Sequence, residues 1–80
     1  MNTIQKELYS KAIEFLRLHA EQLMKTITNE QQKRQLNDKI LMFYFEEIAV
    51  TGNDLTALSI QDKAEKLYIP ELKELLNHLD

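Results

Sequence analysis

Apolar residues recur along this chain at helical intervals, in stretches separated by short polar breaks. From about Thr3 to Ile27 the positions Tyr9, Ile13, Leu16, Ala20, Leu23 and Ile27 step by four and three, and Leu8, Ala12 and Phe15 widen the same side. The spacing predicts a first helix with a broad bundle face rather than a narrow two-stranded seam. Its charged side is expected to hold Glu7–Lys11 and Glu21–Lys25 one turn apart, with Glu14 near Arg17. Leu18 is stranded among those charges, a minor hint of a contact surface.

The polar run Thr28 to Gln32 interrupts the pattern and offers two capping boxes, Thr28 with Gln31 or Asn29 with Gln32. A second helix is predicted from about Glu30 to Thr51. Its middle holds six consecutive large apolar residues, Ile40 to Phe45, which wrap past a full turn and cannot share one face. They resolve into two rows: Leu36, Ile40, Phe43 and Val50 in one, Leu41, Tyr44, Phe45 and Ile48 in the other. A strand here is rejected, because Glu46 and Glu47 follow directly and no second strand exists to pair with it.

Thr51-Gly52-Asn53-Asp54 predicts a turn, with Gly52 suited to the left-handed position after a helix and Asn53 or Asp54 to a cap. Leu55 to Leu58 reads as a short helical turn. Ser59 would then cap a third helix carrying Ile60, Ala64, Leu67 and Tyr68, and Pro70 would open a fourth with Leu72, Leu75, Leu76 and Leu79 in a stripe. The expected fold class is all-α: a small four-helix bundle in one domain, residues 1–80, with a long antiparallel hairpin crossed by two short C-terminal helices.

Composition narrows the chemistry. With 44% apolar residues the 80-residue chain should fold, on a core near the lower size limit for a domain without staples. It has no cysteine, hence no disulfide or thiolate site. The start of the chain carries an acid at once and has no apolar stretch of signal-peptide type, and no apolar run could span a bilayer. A soluble, cytoplasmic protein is the expectation. Residues 1–45 hold seven basic against five acidic side chains, net +2, while residues 46–80 hold three against eight, net −5.

Catalysis finds little support. Nucleophilic chemistry lacks a cysteine or a serine beside a base, and a single glycine cannot build a phosphate loop. No cofactor is implied, and no small-molecule substrate. Glu74 and His78 lie one turn apart, but two ligands without a third do not make a metal site. His19 reads as a boundary histidine. Glu47 is the odd residue of the second helix, projecting near the Ile40–Phe43 side, where it would sit at the edge and snorkel or find a lysine; Glu46 points about a quarter-turn away.

The segment from Leu58 to Ile69, through Ser59, Ala64 and Leu67, resembles the first helix and turn of bacterial helix-turn-helix domains over about a quarter of the chain. The resemblance implies a DNA-binding regulator whose recognition helix starts at Pro70. The pattern departs at Tyr68, where the turn usually carries glycine, and at Lys63, where an apolar residue is usual. The acidic half of the chain also opposes phosphate contacts. The function expected from the residues is a non-enzymatic interaction or regulatory module whose partner is another protein or a second copy, as a homodimer through the second helix. Its interface would include Ile40, Leu41, Phe43, Tyr44, Phe45 and Ile48. The alternatives are a degenerate helix-turn-helix regulator and a small immunity-type protein that binds a toxin.

Overall fold

The structure is a computed structural model that describes residues 2–78. It is all-helical, with no strand among the described residues. α1 spans Thr3–Met24 and α2 spans Glu30–Ala49. α3 spans Leu55–Lys63 and leads without a break through a π-helical turn, Ala64–Tyr68, into α4, Ile69–Asn77.

Local chemistry sets each start. The side chains of Asn2, Asn29 and Asp54 accept from the backbone N–H groups of Gln5, Gln32 and Ala57. Each satisfies one donor that a helix N-terminus leaves open. Of the two boxes between α1 and α2, the chain uses Asn29 with Gln32. Gly52 does not take the left-handed conformation expected of it, since no described residue has positive φ. A Cβ there would stand 3.4 Å from both the Ala49 carbonyl oxygen and the Ala57 Cβ, at the close edge of ordinary contact.

The C-terminal third corrects the expected four-helix count to three continuous helical rods. Ser59 lies inside α3, which Asp54 caps, and Pro70 follows the π-helical turn instead of a break. In an ordinary α-helix a proline ring presses on the carbonyl four residues back and removes a hydrogen bond. Here the Ile69 N–H reaches back five residues, to the Ala64 carbonyl, so the turn ahead of Pro70 is already widened. No turn separates α3 from α4, and the helix-turn-helix resemblance has no structural counterpart. Leu79, expected in the last stripe, lies outside the described residues.

α1 and α2 form the antiparallel hairpin, tied by the Ser10 hydroxyl donating to the Glu47 carbonyl at 2.9 Å and by Lys6 to Asn53. The third rod crosses it, α3 lying against α2 while the π-helical turn and α4 lie against α1. The core gathers Tyr9, Ile13 and Leu16 from α1, Phe43 and Val50 from α2, and Ile60, Ala64 and Tyr68 from the third rod. Principal dimensions of 41 × 29 × 16 Å make a slab less than two helix diameters thick. Each rod therefore keeps a face that the others cannot cover. The face of α1 is narrower than its spacing suggests, because Leu8 and Phe15 are exposed. Its charges also pair differently, as Lys11–Glu14 and Arg17–Glu21, both at 3.1 Å.

Candidate functional site

The two apolar rows of α2 part company in the structure. Ile40, Phe43 and Val50 are buried in the core, Phe43 packing edge-on against the Tyr68 ring with centroids 5.5 Å apart. Leu41, Tyr44, Phe45 and Ile48 face away from the rest of the chain, exposed by 58%, 47%, 60% and 75%. Of the six residues expected at an interface, Ile40 and Phe43 are thus taken by the chain's own core. The other four form a compact diamond over two helical turns, with Leu41 and Ile48 at its ends and Tyr44 and Phe45 at its sides.

The acids of the same stretch point inward. Glu46, not Glu47, is the deeply buried carboxylate, 6% exposed. Its Oε1 accepts from the Tyr68 hydroxyl and its Oε2 from Lys63 Nζ at 2.8 Å. Sequence phase alone had placed Glu46 off the core side, but the third rod covers the flank of α2 from which it projects. Glu47 lies at the edge, as expected, and its cation is Arg17, whose Nε donates to Glu47 Oε2 at 2.9 Å. That guanidinium also binds Glu21 and stacks 4.3 Å from the centre of the Tyr44 ring. The Glu47 hydrogen bond is the main cause holding the Arg17 pKa above its ordinary value.

This half of α2 is therefore inverted: two carboxylates turn toward the body of the protein while four large apolar side chains turn to solvent. Burying a carboxylate is costly unless it is paired and hydrogen-bonded, and here each carboxylate has such partners. As a result none of the four outer side chains between Leu41 and Ile48 is itself charged, and the guanidinium stacked on Tyr44 is paired to Glu47 and Glu21. Sequence spacing had signalled the outer row; the inward turn of Glu46 had no signal in the spacing, because its partners Lys63 and Tyr68 lie on another rod.

Burial, then the hydrogen bond to Glu46, push the Tyr68 hydroxyl from 10.0 up to about 12. For Lys63, burial pulls downward, but hydrogen bonds to Glu46 and Tyr68 prevail and the net direction is up. Both folded-state values lie above the unfolded ones; the Tyr68 stabilisation is fully present below about pH 10 and is lost as pH rises through about 12, and the Lys63 contribution is likewise lost at alkaline pH. Urea midpoints are expected to fall across that interval, and to fall less in Tyr68→Phe. An identical alkaline fall in both proteins would count against the Glu46 cluster as its origin.

Other features offer less. A cavity of about 150 Å³, benzene-sized, lies between α1, α2 and α4, with Leu16, Phe43 and Leu75 in its wall and His19, Lys39 and Glu71 alongside. No buried side-chain polar atom among the described residues lacks a partner. Exposed Ile4, Leu8, Phe15 and Leu18 form a strip along α1, but it is stretched over four turns and Lys11 interrupts it. Glu74 and His78 are exposed on α4 and its cap, and no group of three potential metal ligands converges among the described residues. No described helix is long and apolar enough to cross a membrane.

No protein-family model, curated protein or solved structure matches this chain.

Proposed function

We propose that this protein is a non-enzymatic interaction module whose contact surface is the outer face of α2, built by Leu41, Tyr44, Phe45 and Ile48. The inverted stretch of α2 carries the reading. A helix serving only its own fold gains by placing Glu46 and Glu47 outward and its apolar residues inward, whereas this one turns both acids inward and four of its large apolar residues outward. Aromatic anchors in an uncharged patch are the residue types that dominate interface energetics, and covering such side chains recovers roughly 1.5–3 kcal/mol for a fully exposed one. The partner is a protein that offers an apolar surface of matching size.

Because these four side chains lie outside the core, charge can be introduced without unfolding the domain. Phe45→Glu and Ile48→Glu are expected to keep the wild-type helical circular dichroism and a thermal midpoint within a few degrees. Each should weaken partner binding by about 100-fold, since a carboxylate would be buried unpaired against apolar surface. Affinity capture from the source cell with wild type and Phe45→Glu side by side reads the effect. A protein retained by the first and lost by the second supports the interaction face. Identical retention on both baits removes it.

A further inference from the structure

Resting on that reading of the α2 face, we infer that its partner is a second copy of this chain, docked with the two α2 helices antiparallel. The diamond of apolar side chains is self-complementary. A twofold axis crossing α2 between Tyr44 and Phe45 sets Leu41 of one copy on Ile48 of the other, and sets Phe45 on Phe45 and Tyr44 on Tyr44 beside it. Isologous contacts of this kind need one patch that matches itself; its four side chains are uncharged, and the Arg17 guanidinium against Tyr44 is already paired to Glu21 and Glu47, which limits the like-charge cost.

Charges flanking the diamond choose the direction. Arg34 is exposed two turns before Leu41 on the same side of α2, and it forms no ion pair among the described residues. Asp54 is exposed in the turn beyond the other end. Antiparallel docking brings Arg34 of each copy alongside the Asp54 turn of the other, whereas parallel docking brings Arg34 onto Arg34. The four side chains offer roughly 400–500 Å² per copy, below the ~800 Å² per partner of a standard interface. The dimer is accordingly a weak one, forming at micromolar rather than nanomolar concentration.

The chain has no cysteine, so single introduced cysteines report the arrangement without background. Sedimentation should show wild type passing from monomer to dimer as concentration rises, and Phe45→Glu, with unchanged circular dichroism, staying monomeric over the same range. Under mild oxidation a mixture of Leu41→Cys and Ile48→Cys should give chiefly the mixed disulfide. Antiparallel docking holds the two Leu41 positions about 10 Å apart along the helix, too far for a bridge. A preference for Leu41→Cys linked to itself would overturn the antiparallel arrangement. Monomeric wild type at millimolar concentration would overturn the second copy as partner, while differential capture by Phe45→Glu would still uphold the interaction face. A dimer that persists in Phe45→Glu would place self-association elsewhere and overturn the inference as well.

Discussion

Phe43→Ala is expected to cost about 3–5 kcal/mol and leave little cooperative structure to melt. Phe43 is 1% exposed and is the one aromatic side chain of α2 in the core. Its ring packs T-shaped with Tyr68 on the third rod, and the Lys39 ammonium sits 5.7 Å from its centre. Truncation would open a void where three rods meet, and the slab has no outer layer that could collapse to fill it. A domain of this length has a total stability of roughly 4–12 kcal/mol, so the loss is a large share of the whole. Phe45→Ala, two residues along, should shift stability by no more than about 0.5 kcal/mol, because that ring has little of the chain around it. Urea unfolding followed by circular dichroism measures both. Similar costs at the two positions would contradict the division of α2 into an inner and an outer row.

The second large effect is expected at Glu46. Glu46→Ala removes the shared acceptor of Tyr68 and Lys63 and leaves a buried hydroxyl and a half-covered ammonium without the carboxylate that both donate to. Breaking a buried pair costs about 3–5 kcal/mol, but the Lys63 side chain is 37% exposed and can turn to water, so about 2–4 kcal/mol is the expectation. Glu46→Gln keeps an oxygen for the Tyr68 hydroxyl and loses only the charge opposite Lys63, so it should cost less. Adding Tyr68→Phe to Glu46→Ala should recover part of the loss, because the orphaned hydroxyl disappears with it. A double-mutant cycle in urea reads the coupling. Additive costs would mean that Glu46 and Tyr68 do not stabilise each other.

Both effects follow from a choice of face that spacing along α2 leaves open. With apolar residues at every position from Ile40 to Phe45, the helix has no single hydrophobic side, and either row could have faced inward. Position along the chain had marked Glu47 as the acid near the core. In the structure Arg17 meets Glu47 at the hairpin edge, while the third rod closes over Glu46 from the other flank. The same holds for α1, where Leu8 and Phe15 extend the apolar face on paper but have no rod opposite them.

What the sequence determined by itself is the set of features made by residues near one another in the chain. Those are the helical class, the approximate extents of the two hairpin helices, the break at residues 51–54, and a pair of candidate caps at each break from which Asn29 and Asp54 are the ones used. Each depends on hydrogen bonds or steric limits within a few residues, which any surroundings would preserve. Tertiary structure alone decided that α3 and α4 join through a π-helical turn, since Pro70 serves equally well at a helix start or after a widened turn. It also decided which row of α2 is core. That row is settled by where Lys63, Tyr68 and Arg17 arrive, from residues 17 to 30 positions away, and a thin slab of three rods has only one side of α2 to cover.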